Sequence, residues 1–252
     1  HHGGGMPSCQ HAVIPADQLN GDKLHYYIEA ADGLQRSRSG DYETALTGGT
    51  AGGDVPRILI TEILPNPAGD YRWGSGNQYE YVEIYNNSDQ ILDLKDYTLS
   101  YLYPGTTAPK HWTIPDHTSI EPYSAAVIWF AKEAVANGKG FATTADFNLH
   151  FNSTLNDSDI IFYDNSKASD FNLPNSLHRG IALSAPGQAN SYIVQAWYDP
   201  STPDSPDRLV NDVRNAVVRY AYPDAGTTMR RLDNRMYANP GSIDPGQVPP
   251  VA

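Results

Sequence analysis

Three glutamates in an alternating part of the sequence, Glu62, Glu80 and Glu83, are of a residue type that can perform acid–base chemistry. Glycosidases use two carboxyl groups, one on each side of the scissile bond. Glu80 and Glu83 are an odd number of residues apart, so in a strand their side chains point to opposite faces of the sheet. We therefore predict that these two do not face one substrate unless a bulge intervenes. Glu62 with Glu83 remains as a candidate pair.

The histidines do not form a recognisable metal or catalytic motif. Zinc sites usually show short spacings between their ligands, and no such spacing occurs here. The chain also lacks a GxSxG nucleophile elbow and the clustered Asp and His motifs of metallophosphoesterases. We therefore predict no catalytic residue in this chain. The histidines considered are His25, His111, His117, His150 and His178.

Calcium is the metal that the sequence favours most. Residues 152–159 (NSTLNDSD) and 199–212 (DPSTPDSPDRLVND) supply the oxygen ligands that Ca²⁺ prefers. Neither segment has the EF-hand spacing, so turns in which Asp and Asn bind their own backbone are the simpler interpretation. We predict no required cofactor, with structural Ca²⁺ as the alternative. Its candidate ligands are Asp157, Asp159, Asp204 and Asp207.

Aromatic side chains in predicted loops and at strand ends are candidates for ligand binding. Flat rings can stack on sugars or on a partner protein. Simple packing at the rim of the domain remains an alternative, because exposed rings mark a binding surface only when they are contiguous. Trp129 and Trp197 lie within apolar runs and are predicted to be in the core. The candidate binding residues are Tyr71, Trp73, Tyr101, Tyr103, Trp112 and Tyr123.

Charge and composition disfavour some functions. The 252 residues include 17 Lys and Arg against 29 Asp and Glu, a net charge of -12, which repels nucleic-acid phosphates. The 17 tyrosines with few lysines are typical of a β-rich protein outside the cytoplasm, and we predict an extracellular or cell-surface location. No apolar run approaches the ~20 residues of a membrane span. Cys9, the sole cysteine, cannot form an internal disulfide.

Alternation of apolar and polar residues predicts an all-β fold of two packed sheets. Turn residues separate the strands. Two short helices are predicted, at 131–137 and 207–215. The predicted strands are 58–64, 79–85, 91–94, 97–103, 125–130, 159–163, 180–183, 192–197, 216–221 and 228–232.

The sequence divides into four predicted regions. Residues 1–33 are predicted to end an upstream β-module, with strands at 12–15 and 24–30 joined at Asn20-Gly21. Residues 24–33 (LHYYIEAADG) resemble the closing strand of bacterial immunoglobulin-like or fibronectin-type-III-like repeats. A hairpin docked on the main domain is the alternative. Because the chain starts with His1 and not Met, we expect an internal fragment, although His1 and His2 could be a tag. The remaining regions are a Gly-rich linker at 34–56, the main domain at 57–243 and a Pro-rich linker at 244–252.

Several motifs of the main domain occur in an order that resembles the lamin-tail domain, an immunoglobulin-like module. The long segments 132–151, 164–179 and 199–212 are similar to those of long bacterial versions found in secreted or surface proteins. The motifs are Ile60-Thr61-Glu62-Ile63, residues 80–86, Asp93-Leu94-Lys95-Asp96-Tyr97, 120–130 (IEPYSAAVIWF), 155–164 (LNDSDIIFYD), Met229-Arg230-Arg231 and Asn239-Pro240-Gly241.

The resemblance implies a non-catalytic binding, adhesion or spacer module of a larger secreted or surface protein. Its partners would be other domains of the same chain, a polysaccharide or a surface protein. It also implies that Glu62 and Glu83 are structural and accept hydrogen bonds from loop backbone amides. The residues with implied structural roles are Glu62, Glu83, Asn86, Asp96, Arg230, Pro240 and Gly241.

Two rival functions remain open from the sequence. One is an accessory domain that contributes to a neighbouring metallophosphoesterase or nuclease. The other is a stand-alone hydrolase that uses Glu62 and Glu83 or the loop carboxylates. The second rival predicts turnover by the chain alone that is lost in Glu83→Gln while the fold survives.

Overall fold

The computed structural model forms two compact units, residues 1–54 and 55–252. The predicted strand at 12–15 and both predicted helices lie outside the residues that the structure describes. The described residues are 23–27, 29–31, 36–45, 55–68, 79–105, 107–116, 118–130, 143–163, 173–174, 177–198, 216–232 and 236–250.

The first unit consists, in its described part, of four short strands. β1 pairs antiparallel with β4, and β2 pairs antiparallel with β3. The strands are β1 (Lys23–Tyr26), β2 (Glu29–Ala31), β3 (Arg36–Arg38) and β4 (Tyr42–Ala45).

The prediction of a flexible linker over 34–56 is wrong at β3 and β4. Residues 39–41 connect these strands, and the chain then returns to pair with β1. Arg38 donates to Asp41 at 2.6 Å, and its guanidinium lies 3.7 Å from the centre of the Tyr27 ring. Ladder hydrogen bonds are made by the backbone, so polar strands without apolar alternation can still pair.

The second unit is built from strands with one helix in its described residues. Each of the ten predicted strands has a counterpart. β9, β10 and β17 were not predicted, because a strand of two to four residues leaves too little alternation to recognise. The strands are β5 (Ile58–Leu64), β6 (Tyr81–Asn86), β7 (Leu92–Asp93), β8 (Thr98–Leu102), β9 (Lys110–Thr113), β10 (Ser119–Ile120), β11 (Ala125–Trp129), β12 (Ile160–Phe162), β13 (Arg179–Ser184), β14 (Tyr192–Tyr198), β15 (Ala216–Ala221), β16 (Arg230–Arg231) and β17 (Met236–Tyr237), and the helix is α1 (Thr144–Phe151).

Two main sheets form the sandwich. The larger has the order β12-β11-β6-β5-β15, and both β16 and β17 pair with β15. Its pairs are antiparallel except β11 with β12. The smaller sheet has the order β14-β13-β8-β9, and β7 pairs with β10 separately. The predicted immunoglobulin-like β-sandwich is confirmed.

The main core lies between the two sheets. Alternate side chains of each strand meet there, as expected of a sandwich. Each fully buried Val, Leu or Ile contributes roughly 1.5–3 kcal/mol relative to an exposed one. Fully buried members include Ile60, Ile84, Ile128, Leu99, Ile181 and Val194.

Two aromatic residues predicted as exposed binding rings are in this core. Tyr101 and Trp112 are 3% and 6% exposed, because alternation along β8 and β9 turns both side chains inward. The Tyr101 hydroxyl accepts a hydrogen bond from Arg179 Nε at 2.9 Å, and Trp112 packs edge-on against Tyr163. Tyr103 is half-buried beside Tyr101. The prediction that Tyr101 and Trp112 are available for stacking is therefore wrong.

The two tryptophans predicted to be in the core behave differently. Trp129 is fully buried, as predicted. Trp197 is only half-buried, because Val194, Ala196 and Tyr198 take the inward positions of β14 and leave Trp197 outside. Its ring covers Gly180, where an added Cβ would lie 2.8 Å from the indole.

The other face of the larger sheet is covered partly by α1. Thr143 caps this helix: its hydroxyl accepts from Asp146 N, and its own N–H donates to the Asp146 carboxylate at 3.0 Å. Phe147 is fully buried and meets Trp129 edge-on, while Phe151 packs on Tyr81. The helix was not predicted, because eight residues give little periodicity. Among the described residues, no helix is long and apolar enough to span a membrane.

Candidate functional site

A β-bulge brings Glu62 and Glu83 together. Ile60 pairs with Ile84, but the next pair is Glu62 with Glu83, so Thr61 is the extra residue of β5. A bulge sets two residues of one strand opposite one of its neighbour. The Thr61 hydroxyl therefore also reaches Glu83 and donates to Oε1 at 2.7 Å. Glu80 lies apart from this pair, and its carboxylate accepts from Leu173 N at 2.9 Å.

Arg219 completes the group from the neighbouring strand. It pairs with Glu62 in the β5–β15 register, and its Nε donates to Glu62 Oε2 at 2.9 Å. The Tyr81 hydroxyl donates to the other oxygen of Glu62. The two charged side chains are only 6% and 1% exposed, so this ion pair is buried.

Sequence reasoning missed Arg219. The residue stands between Val218 and Tyr220 in β15, so alternation places it on the face opposite these two core residues. A single basic residue inside an apolar strand was the available signal. A buried Arg is seldom left without a carboxylate partner, and that rule would have led to Glu62.

Residues 237–247, here named the C-terminal segment, lie over the buried group. Gly241 N donates to Glu83 Oε2 at 2.6 Å, and Gln247 Nε2 donates to Thr61 O at 2.7 Å. Asn239 N reaches Glu62 Oε1 at 3.4 Å. Arg219 donates to three further acceptors of the segment, namely Tyr237 O, Asn239 Oδ1 and the Asp244 carboxylate.

The prediction that 244–252 is a linker is wrong for its first residues. Gln247 is fully buried, and Asp244 is ion-paired with Arg219. The Gln247 carbonyl also accepts from Tyr222 N at 3.0 Å. Proline and glycine are common in linkers, but here the turn they form returns the chain to the sheet.

Two features favour glycine at position 241. Its φ is +87°, a conformation that residues with a Cβ rarely adopt. A Cβ there would lie 2.6 Å from Leu155 Cδ2. The preceding Pro240 is buried. Together they bring the Gly241 N–H close enough to bind Glu83.

The two glutamates titrate abnormally. Burial, reinforced by the charge of Glu62, raises the pKa of Glu83 to about 8, against the opposing hydrogen bonds from Thr61 and Gly241. Burial raises the pKa of Glu62 too, but Tyr81 and Arg219 oppose that rise. Burial and the two carboxylates raise the pKa of Tyr81 well above its ordinary value.

The two carboxylates have different hydrogen-bond partners. Arg219 contacts Glu62 directly and favours its charged form, whereas the raised pKa of Glu83 favours its protonated form at neutral pH. Thr61 can accept a hydrogen bond from the protonated Glu83, because a hydroxyl both donates and accepts. Both glutamates are 0% exposed, which leaves a substrate no access. In this arrangement both carboxylates contact the C-terminal segment, and neither is exposed at the surface.

The other residues with implied structural roles lie outside this group. Asn86 is buried, and its side-chain nitrogen, which has two hydrogens to donate, lies within hydrogen-bonding distance of three carbonyl oxygens, those of Gln90, Ile120 and Glu121. Asp96 has a φ of 65° in the turn before β8. Arg230 is at the surface, where it binds Tyr222 O and pairs with Asp224 at 3.2 Å.

The calcium candidates do not converge in the part of the chain that the structure describes. Asp159 Oδ2 accepts from the backbone and side-chain nitrogens of Asn156 at 2.8 and 3.0 Å, so it caps a short 3-10 turn. Asp157 is exposed. No group of three or more His, Cys, Asp or Glu suited to a metal occurs among the described residues. Asp204 and Asp207, like Tyr71 and Trp73, lie outside them.

Comparison with known proteins identifies this fold. Residues 53–173 match the model of the Lamin Tail Domain family. The chain contains a lamin tail domain. The match includes Thr61, Glu62, Tyr81 and Glu83, but it ends before Arg219 and the C-terminal segment. The residues that close the buried group therefore lie beyond the matched part of the lamin tail domain.

The chain is similar to two bacterial proteins. The chain is 32% identical over 147 residues to the uncharacterized protein YvnB of Bacillus subtilis (strain 168). The alignment covers 57% of this chain and 11% of YvnB. A crystal structure of a DUF4876 family protein from Bacteroides thetaiotaomicron is 13% identical, with a TM-score of 0.42, over 84% of this chain and 74% of that chain. Neither description states a catalytic activity.

Proposed function

We propose that this lamin tail domain is a non-catalytic positioning module of a larger secreted or cell-surface protein. It holds the segment that leaves the sandwich in a fixed place, so that whatever follows in the parent protein starts from a defined point. The observation that carries the proposal is that the buried pair Glu62 and Glu83 binds the C-terminal segment. Its polar atoms hold the C-terminal segment and are closed to substrate.

The hydrogen-bond arrangement supports positioning over catalysis. A general acid must reach the atom that it protonates. Glu62 and Glu83 instead contact Arg219 and backbone amides of the segment, at positions 239 and 241. Burial of charged groups is costly unless they are paired, so this arrangement requires the segment to stay in place.

The similarity to YvnB supports the modular part of the proposal. The aligned region is 11% of that protein, so a similar region there belongs to a much longer chain. A rigid domain in such a chain can set the distance and orientation between its neighbours. A net charge of -12 is consistent with a partner other than nucleic acid.

Distance measurement between two spin labels tests positioning directly. Labels at Asp89→Cys and Pro250→Cys, both exposed sites, report where the chain lies after the C-terminal segment. Cys9→Ser removes the native thiol. We expect a narrow distance distribution, which broadens in Gln247→Ala because that change removes the bond to Thr61 O. A broad distribution in the unaltered background contradicts the proposal.

Activity assays test the non-catalytic part. The chain is assayed for hydrolysis of chromogenic glycosides and phosphate esters, beside Glu83→Gln. We expect no turnover above buffer. Turnover that Glu83→Gln abolishes, with the thermal midpoint preserved, would establish the hydrolase alternative.

A further inference from the structure

Two adjoining grooves lie beside the C-terminal segment. The first, of about 730 Å³, runs between the start of β11, the loop 151–156 and residues 238–243. The second, of about 460 Å³, runs between residues 114–118 and β12. Ser119, Glu121 and Asp159 line both, so the grooves form one trough. The larger falls within the size range of ligand sites.

The lining of the first groove is mainly neutral and polar. Hydroxyl and amide groups dominate it, with Glu121 and Asp159 as its carboxylates. The Asp159 carboxylate is engaged by Asn156, so it is poorly placed to bind a cation. No Lys or Arg lines either groove within the described residues. The neutral polar residues include Ser124, Asn152, Ser153, Thr154, Asn239 and Ser242.

Each groove also has an exposed aromatic ring. Tyr123 lines the first and is 42% exposed, and Phe162 lines the second and is 47% exposed. Rings spaced along a polar trough can stack on the flat faces of successive sugar units, while hydroxyl and amide groups bind their edges. A short ligand would use one ring, and a longer chain would reach both.

The backbone at Tyr123 is unusual as well. Its φ of 52° is a conformation that bulky residues rarely adopt. Strained backbone is found preferentially at ligand sites, where it holds a side chain in place. Here it holds the Tyr123 ring in the lining of the groove.

We propose that this trough binds a chain of neutral sugar residues, with Tyr123 and Phe162 as the stacking residues. The absence of basic side chains from the described lining disfavours anionic polysaccharides, because their carboxylates would meet Glu121 without compensation. A lysine-rich peptide is the rival ligand. The neutral hydroxyl and amide groups of the first groove favour sugar, whereas Asp116 and Asp157, which join Glu121 and Asp159 in the second groove, are the feature that would favour the peptide. Residues 238–243 of the C-terminal segment wall the first groove, so this proposal rests on that segment being held in place, while its own test concerns the rings of Tyr123 and Phe162.

Calorimetric titration of the whole chain with hexasaccharides tests the proposal. The probes are neutral hexamers of glucose, xylose, mannose and N-acetylglucosamine, with hexagalacturonate as the anionic probe and a hexameric Lys-Gly peptide as the rival. We expect at least one neutral hexamer to bind and hexagalacturonate not to bind. Binding of the peptide without any neutral sugar, or no neutral hexamer bound, overturns the proposal.

Variants locate the binding. Tyr123→Gly removes the ring and relieves the strained φ, so the fold is retained while affinity falls by about tenfold or more. Phe162→Ala lowers the affinity for the hexasaccharide but leaves the affinity for the disaccharide of the same sugar unchanged. The matched control is Tyr237→Ala, because Tyr237 is 71% exposed and does not line either groove. Sugar binding that Tyr123→Gly leaves unchanged, with a preserved thermal midpoint, also overturns the proposal.

Discussion

Glu83 lies directly opposite Glu62 across the β5–β6 pairing, and both carboxylates bind the same short segment of chain. The bulge at Thr61 produces this arrangement, and Arg219 from β15 forms an ion pair with Glu62. Replacement of any of these groups should therefore weaken the contacts of the C-terminal segment. The effects should differ, because one group supplies a positive charge and another supplies a titrating carboxyl.

Arg219→Met should lower the free energy of unfolding by about 3–5 kcal/mol, because it leaves Glu62 buried without its cation. The segment also loses the donors to Tyr237 O and Asn239. Urea unfolding followed by tryptophan fluorescence measures the change.

The matched control is Arg230→Met at the surface. Its ion pair with Asp224 is largely exposed, and such pairs contribute about 0–1 kcal/mol. Equal losses in the two variants would show that the buried pair has no special role.

The stability of the second unit should fall as pH rises from about 4.5 to about 8. Glu83 titrates near 4.5 when unfolded and near 8 when folded, so between these values the folded state binds an extra proton. The contribution is complete below the lower pKa and is lost as pH passes the higher one. We expect a lower urea midpoint at about pH 8.5 than at about pH 5.5.

Glu83→Gln should reduce this pH dependence, because the amide cannot ionise and still accepts from Gly241 N. Glu121→Gln, at an exposed site, is the control and should leave the dependence unchanged. If both variants retain the full difference between the two pH values, Glu83 is not the titrating group.

Gly241→Ala should lower the free energy of unfolding by about 1–3 kcal/mol, through the strained φ and the contact with Leu155. Gly246→Ala separates the two causes, since Gly246 has a φ of +90° and open space around it. Urea unfolding measures both variants. The additional loss of unfolding free energy in Gly241→Ala is the cost of the contact with Leu155.

A double-mutant comparison tests whether the Leu155 side chain causes the additional loss at position 241. Leu155→Ala removes the side chain that the new Cβ would meet, so the added cost of Gly241→Ala should be smaller in that background. Equal costs in both backgrounds would contradict the role of Leu155.

Asp159→Ala should lower the thermal midpoint by the same amount with and without Ca²⁺. The carboxylate caps the turn at Asn156, and loss of a capping side chain typically costs about 1 kcal/mol. Differential scanning calorimetry in EDTA and in excess Ca²⁺ measures both values. A loss seen only with Ca²⁺ would restore Asp159 as a metal ligand.

The strands of the sandwich were predictable because each needs only local information. The alternation of apolar and polar residues in β5 and β15 marks both segments as strands and shows which residues share a face of the sheet. Tyr101 and Trp112 were wrongly predicted to be exposed, because burial depends on more than the local pattern. Their inward direction depends on the register of β8 and β9, and a shift of one residue would have placed them outside.

The buried group required contacts between distant parts of the chain. Glu62 and Arg219 are 157 residues apart, and nothing in the local pattern of either strand specifies that they meet. The sequence also hid the role of residues 244–247, because their Pro-Gly composition is equally typical of a linker. Helix α1 was missed because its stability depends on packing against Trp129.

The sequence by itself determined the strand alternation, the fold class and the resemblance to the lamin-tail domain, since these depend on residue type and short spacing. Only the tertiary structure decided that Glu62 and Glu83 are closed to substrate. A carboxylate in a sequence has no fixed environment, and its burial, partners and proton are set by the strands packed beside it. Here the bulge, β15 and the returning C-terminal segment set all three.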